Sequence, residues 1–411
     1  MIFLQNLKEL YQSTNLFGNE VQQLNPEILC AATYFDGAIL APERLCIEMI
    51  FDSLASTNEA LSLNYCSLVG AEQGDVILRD QVTDLSFSVK PKIVVNATGP
   101  WIDLVNETLG VSTKFMGGTK GSHLILDHPE LRQAIQESEI FFENKDGRIV
   151  LIYPFHDHVL IGTSDIFNED PDGARCSEEE VDYFIEMISI VFPSIKVDRS
   201  HIVFRFSGVR PLPLSDSSAA GLVSRDHSIR RVSGEGYFPI LSLVGGKWTT
   251  FRAFAEQVTD EVLTLLERDR EVSTENIPIG GGRDFILGAE RMFASSVGLT
   301  EERARVLYHR YGTRLAEFLP ELRGGETLLK NNKEFSQEEI ALLVINEHVV
   351  HLDDLVLRRT NVAKLGQVTR YILEDLADIL ARVLEWQQSE KKHEIGRCLR
   401  ILANKYQVIV Q

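Results

Sequence analysis

PILSLVGGKWTTFRAFAEQVTDEVLTLL, residues 239–266, is the stretch that decides the fold. Ile240–Val244 is a short apolar run closed by two glycines, the length and composition of a buried strand. Phe251, Phe254, Ala255, Val258, Val262 and Leu265 then recur at helical spacing. The segment reads as a strand, a glycine turn and a helix N-terminus, with Thr249 or Thr250 as the cap. Free backbone N–H groups and the positive end of the helix dipole favour an anion or an electron-rich ring oxygen at such a turn, and Lys247 adds a mobile cation. The other reading is a plain strand-to-helix turn with a surface lysine. Leu241 rules out P-loop spacing, GEGYFP (Gly234–Pro239) lacks a third glycine, and GGGR (Gly280–Arg283) follows no strand. No GxGxxG occurs in the chain.

Outward from this unit the α/β texture continues. Residues 1–30 are weakly patterned, a short helix and then loop; Arg44–Ala55 has helical spacing and Tyr65–Val69 reads as a strand. Val76–Leu78, Leu85–Val89 and Ile93–Val95 are further short strands, the last ending in a turn at Gly99. Ile149–Tyr153 and Val159–Ile161 form a hairpin about His156–His158, and Ile202, Phe204 and Phe206 alternate as in a half-buried strand. Ser177 with Glu180 is a capping box ahead of the stripe Val181, Phe184, Ile185, Ile188. The nine acidic residues between Asp165 and Glu186 read as a solvated face rather than a metal site. Beyond Val272 helical patterns dominate, started by Thr300, by Ser336 with Glu339, and by the stripe Val368, Ile372, Leu376, Ile379, Val383. The turn-rich Glu275–Phe285 marks the boundary, so residues 1–274 form a mixed α/β domain and 275–411 an all-α one.

Composition narrows the function. The 411 residues, 44% hydrophobic and 25% charged, build a real core and exclude disorder as the main state. A net charge of −19 argues against nucleic acid, which needs clustered Lys and Arg, but leaves room for a small anion in a local cationic pocket. The five scattered cysteines make no CxxC, so neither a structural zinc nor a disulfide framework is expected, and they fit a reducing compartment. Without a signal pattern or an apolar run near ~18 residues, the chain reads as cytoplasmic or peripheral to a membrane.

Two side chains stand out as chemistry. In SGVRPL (Ser207–Leu212) the proline fixes an extended backbone, so Arg210 is aimed; it suits a bidentate grip on phosphate or carboxylate, or a structural salt bridge. His123 enters an apolar strand at KGSHLIL (Lys120–Leu126), either as a structural imidazole or as a proton acceptor.

The ordered series VVNATGPW (Val94–Trp101), KGSH (Lys120–His123), NKDGRIVLIYPF (Asn144–Phe155), LIGTSD (Leu160–Asp165), FSGVRPL (Phe206–Leu212), SRDHSI (Ser224–Ile229) and LVGGKWTTFR (Leu243–Arg252) resembles the FAD-dependent glycerol-3-phosphate dehydrogenases, respiratory enzymes related to the bacterial glycerophosphate oxidases. The match runs from about Tyr34 to Ala255, and HLDDLVLRRT (His351–Thr360) resembles that family's C-terminal helical cap. The resemblance implies a D-amino-acid-oxidase-like α/β flavoprotein: a partial FAD domain with an antiparallel substrate sheet, plus an all-α C-terminal domain. It implies oxidation of sn-glycerol 3-phosphate to dihydroxyacetone phosphate, with hydride passing from C2 to flavin N5 and electrons to a quinone. By motif His123 is the general base or the hydrogen-bond partner of the substrate hydroxyl, Arg210 and Arg225 grip the substrate and its phosphate, and Lys247 sits by flavin and substrate. Ala97, Thr98, Gly99 and Trp101, with Gly246, Lys247, Trp248, Thr249 and Thr250, would line the flavin, and Val69 would lie on the strand beside its adenine end. No metal is implied. Quinone use implies a membrane surface, on the inner face of the cytoplasmic membrane, and a homodimer is one assembly open to such a chain.

The departures from the family pattern are specific. Trp248 replaces a smaller aliphatic residue, Phe251 stands where tyrosine is common, and the loop between Val69 and Val89 is shortened. The family's dinucleotide fingerprint and one substrate arginine are expected upstream of Met1, leaving the first βαβ unit missing and FAD binding weak or absent. That pattern fits an incomplete gene product or a degenerate relative. The competing functions are an oxidase passing electrons to O₂, disfavoured by the lack of an insertion around Asp269–Gly280, and a non-catalytic scaffold.

Overall fold

The structure, a computed structural model, describes residues 23–28, 31–32, 34–35, 37–39, 41–215, 223–233, 238–322 and 325–410. The short N-terminal helix expected within residues 1–30 lies largely outside them. In chain order the first elements are α1 (Pro42–Ser56), the antiparallel meander β1 (Cys66–Glu72), β2 (Asp75–Asp80) and β3 (Ser86–Val89), then β4 (Val94–Asn96) and α2 (Ile102–Thr108). β5 (Thr119–Leu126), α3 (Pro129–Ile135), β6 (Ile140–Glu143), β7 (Ile149–Phe155), β8 (His158–Gly162), β9 (Ile166–Phe167), α4 (Glu178–Val191) and β10 (Ile202–Arg210) follow. β11 (Ser228–Ser233), β12 (Pro239–Val244) and α5 (Phe251–Leu265) close the α/β part. The rest is helical: α6 (Glu290–Val297), α7 (Glu301–Tyr311), α8 (Leu315–Leu322), α9 (Gln337–Asn346), α10 (Leu352–Asp354), α11 (Arg370–Val383) and α12 (Gln388–Tyr406).

The largest sheet is antiparallel, in the order β10-β5-β8-β7-β6 with β9 on the start of β5. Side chains alternate across a sheet, and here both faces are covered. Leu124, Leu126, Val150, Ile152, Val159 and Ile161 pack against α3 and α4. Ile125, Leu160, Phe155 and Phe204 instead join the core of the helical region, where Phe204 stacks on Tyr406 at 5.0 Å. α4 starts as its capping box requires: Ser177 Oγ accepts the Glu180 N–H and Glu180 Oε2 accepts the Ser177 N–H at 2.8 Å.

A second sheet, β11-β12-β4, carries the decisive unit. β12 pairs in parallel with β4 in the register Ile240↔Val94, Leu241↔Val95, Ser242↔Asn96. Both strands therefore end on the same side, and each runs into a glycine turn and a helix. The β1–β3 meander packs on α2 and this sheet through Leu68, Ala71, Val76, Leu78, Val105 and Leu109.

α1 docks on the helical region rather than on its sequence neighbours. Arg44 makes a bidentate bridge to the fully buried Glu347, and Glu48 pairs with Arg314. Within that region α9 is capped by buried Ser336, whose hydroxyl accepts from Glu339 N and donates to Glu326 at 2.6 Å. Ser336→Ala removes both bonds, so denaturant unfolding should show a loss of about 1–2 kcal/mol.

Candidate active site

Register brings the site together. On one face of the large sheet Phe206, Gly208 and Arg210 of β10 stand opposite His123, Gly121 and Thr119 of β5, and Gly162 of β8 stands opposite His123 from the other side. Three neighbouring strands thus place glycine on the same face, where Gly121 seats Arg210, Gly162 seats His123 and Gly208 stays uncovered. A Cβ at Gly208 would meet nothing within 4 Å, whereas one at Gly162 would collide with the His123 ring, 2.6 Å from Nε2.

His123 stacks on Phe206 with ring centroids 4.9 Å apart and planes 11° from parallel. Its Nδ1 is buried and has no hydrogen-bond partner in the structure. Burial first, and then the positive charge of Arg210, hold the imidazole pKa down at about 4. The ring is neutral at physiological pH, which leaves a lone pair open on one nitrogen, and the same causes make it a weak base.

Arg210 lies flat over Gly121, where a Cβ would fall 2.6 Å from its Cζ. Nη1 donates to Asp165 Oδ1 at 3.2 Å and to Thr119 Oγ1 at 3.5 Å. Nη2 donates to Thr163 Oγ1 at 2.7 Å and to the Ser164 carbonyl at 3.0 Å. The side chain is aimed, as its proline context predicts, but its four terminal N–H bonds are already taken up by protein. Burial draws its pKa down, Asp165 opposes this, and repulsion from Arg225 and Arg148 adds to it. Those two further cations therefore share its field. Arg148 pairs only with Asp146, at 3.3 Å, and Arg225 is exposed with no side-chain partner among the described residues.

The two glycine turns meet this face. Gly245 donates its N–H to the Pro211 carbonyl at 2.9 Å, and a Cβ added there would strike the Asp226 carbonyl. Gly99 also faces Pro211, and Gly99, Gly245 and Gly246 have φ of 63°, 81° and 101°, conformations costly for any residue with a Cβ. The Arg210–Pro211 corner is thereby flanked by the ends of β4 and β12, the side of parallel strands on which open α/β sheets bind ligands. Thr98 is held by its hydroxyl donating to Asn96 Oδ1 at 2.6 Å, and Trp101 Nε1 donates to Asp172 at 3.1 Å. Lys247, Trp248 and Thr249 are exposed at the mouth of the second turn. Thr250 does not cap α5: its hydroxyl closes the short 3-10 turn Trp248–Thr250, accepting from Lys247 N and donating to Lys247 O, both at 3.1 Å.

The family profile described as FAD dependent oxidoreductase matches residues 4–261, and that of the C-terminal domain of alpha-glycerophosphate oxidase matches residues 272–391. The chain is 32% identical to a glycerol-3-phosphate dehydrogenase of Synechocystis sp. over 89% of its own length and 70% of that protein's. The chain belongs to the FAD-dependent glycerol-3-phosphate dehydrogenase family. It is also 27% identical to a probable mitochondrial glycerol-3-phosphate dehydrogenase of Dictyostelium discoideum, spanning 64% of it, and 26% identical to the aerobic enzyme of Bacillus subtilis, spanning 74%. Its fold is that of the Bacillus halodurans glycerol-3-phosphate dehydrogenase solved with FAD: TM-score 0.73 at 24% identity, over 88% of this chain and 73% of that one.

The arrangement fits the family's cofactor at the ring end. The uncovered Gly208, an unpartnered buried imidazole nitrogen on His123 and two positive-φ turns offer polar groups for a flat conjugated ring. Of the residues expected from motifs, His123, Arg210 and Arg225 share one face or one field, and the turns around Gly99 and Gly246–Thr250 border it. Val69, expected beside the adenine end rather than the ring, lies on β1, at the bulge between Leu68 and Gly70.

The acidic run needs correcting. It is not wholly a solvated face, because Asp165 holds Arg210 and buried Glu180 pairs with Lys120. Thr163, Ser164, Asp165, Gly121, Gly162 and Gly208 were the residues that motif reading left without a role. Their signal was present in KGSH, LIGTSD and FSGVR, each with a glycine next to a polar residue, but only strand register makes those glycines neighbours.

Proposed function

We propose that this chain carries the substrate and flavin-ring portion of an enzyme oxidising sn-glycerol 3-phosphate to dihydroxyacetone phosphate. The observation that carries this reading is neutral His123 on a glycine floor beside Arg210, where β4 and β12 end. Bound FAD supplies a two-electron acceptor for the hydride from C2. Ala97, Thr98 and Gly99, with Gly246, Lys247, Trp248, Thr249 and Thr250, would hold its ring. His123 takes the hydroxyl proton, on a nitrogen that burial keeps unprotonated. Arg225 and Lys247, exposed and without side-chain partners among the described residues, receive the phosphate. Arg210 contributes its charge from beneath and reaches the substrate directly only by exchanging one of its protein acceptors. Quinone is the proposed electron acceptor. As a lipid-soluble molecule it would be met at a membrane surface; no helix among the described residues is long and apolar enough to cross a membrane.

The test is spectroscopic. The purified chain titrated with FAD should develop a protein-bound visible flavin band, and glycerol 3-phosphate should bleach it under anaerobic conditions. A band that forms and does not bleach would remove glycerol 3-phosphate as substrate, and a protein that stays colourless would leave a scaffold.

A further inference from the structure

Behind the sheet lies a buried charge that neither catalysis nor helix capping requires. Glu180 on α4 has a side chain only 4% exposed. It accepts hydrogen bonds from Lys120 Nζ at 2.7 Å, Ser122 Oγ at 2.8 Å, Ser164 Oγ at 2.5 Å and Ser177 N at 2.8 Å. Capping α4 accounts for the last of these alone. Burial alone would raise the carboxyl pKa, yet the hydrogen bonds from Lys120, Ser164, Ser177 and Ser122 outweigh it and hold the group below the usual carboxylate range, ionised. A buried ion pair adds little net stability, so a charge kept here is better explained by what it orders.

What it orders is the segment that holds Arg210. Ser164 is fixed twice through its hydroxyl, donating to Glu180 and accepting the Ser122 N–H at 2.9 Å, while its carbonyl accepts from Arg210 Nη2. Its neighbours Thr163 and Asp165 accept two more of the Arg210 bonds. Alternation puts Lys120 and Ser122 on the α4 face of β5, and Gly121 and His123 on the site face. Ser164 joins the two faces.

We propose that Glu180 is a positioning residue for the substrate site: acting through Ser164, it fixes the Thr163–Asp165 segment and so the place of the Arg210 charge beside His123. The inference rests on the functional reading above for the meaning of that charge, but not for its geometry. Two variants separate positioning from bulk stability. Ser164→Ala cuts the link and leaves the Lys120–Glu180 pair intact. The double variant Lys120→Met, Glu180→Gln removes both buried charges at nearly constant volume.

Each variant is compared with wild type for thermal unfolding, for the His123 imidazole titration by NMR, and for the KM and kcat of glycerol 3-phosphate oxidation. In both folded variants His123 should titrate at a higher pH than in wild type, because the Arg210 charge is no longer held against it. KM should rise about tenfold or more, with a smaller change in kcat, and Ser164→Thr, which keeps the hydroxyl, should restore both. Unchanged His123 titration in the folded Ser164→Ala and double variants would overturn the proposal and leave Glu180 as a capping residue. If wild type oxidises no glycerol 3-phosphate, the functional reading falls, while the titration still decides the positioning role.

Discussion

His123→Asn is expected to reduce glycerol 3-phosphate oxidation by about 10²–10⁴-fold, the range for losing a general base. Asparagine keeps a polar side chain near the Phe206 face but cannot take the hydroxyl proton, so the loss should fall on kcat more than on KM. The same substitution should alter the acid stability of the fold. With a folded pKa of about 4 against 6.5 for the free side chain, the unfolded chain binds more protons between those values. The wild-type fold is therefore progressively penalised as pH falls from 6.5 towards 4, by up to about 3 kcal/mol, and feels no penalty from this group above 6.5. His123→Asn should flatten that dependence. Denaturant unfolding of both proteins at pH 7 and pH 5 would show it, and identical pH slopes would mean that the imidazole is not buried neutral.

Gly162→Ala is expected to cost about 10²-fold in turnover with only a modest loss of stability, about 1–3 kcal/mol. The added methyl would occupy the space of the His123 ring edge, with Cγ 3.0 Å and Nε2 2.6 Å away. The ring cannot simply retreat, since Phe206 stacks on it. Gly162 is not among the glycines with positive φ, so the expected cost comes from the space around the ring. The measurement is kcat beside a thermal unfolding midpoint; a folded variant within twofold of wild type would show that the ring's placement does not matter.

The sequence made the elements legible where local physics sets them. The capping box at Ser177, the alternation through Phe204 and Phe206, and the strand–glycine–helix pattern after Ile240 all appear as read. What it did not disclose depends on distance along the chain. Gly121, Gly162 and Gly208 are neighbours only because three strands pair in one register, and a one-residue slip would scatter them over both faces. Glu180 announces its capping box in sequence but not its pairing with Lys120, and nothing in the Asp165–Glu186 run marks Asp165 as the partner of Arg210. Likewise α1 has the pattern of any amphipathic helix, and nothing near Arg44 announces that its partner is Glu347.

A floor made of backbone is mute about chemistry. Peptide groups and Cα hydrogens are the same in every protein, so Gly121 and Gly162 set how closely Arg210 and His123 lie against the sheet without stating which ligand those side chains meet, and Gly208 alone of the three is left uncovered. On the function proposed above, discrimination is left to the rim, where Arg148, Arg225 and Lys247 lie outside helices and strands. Such a division lets one scaffold change its diet: three or four surface substitutions would recast the charge that a substrate must carry, while the floor, unable to accept even a methyl at Gly162, stays as it is. Efforts to redirect this chain towards other hydroxy acids or polyols should begin at those cations.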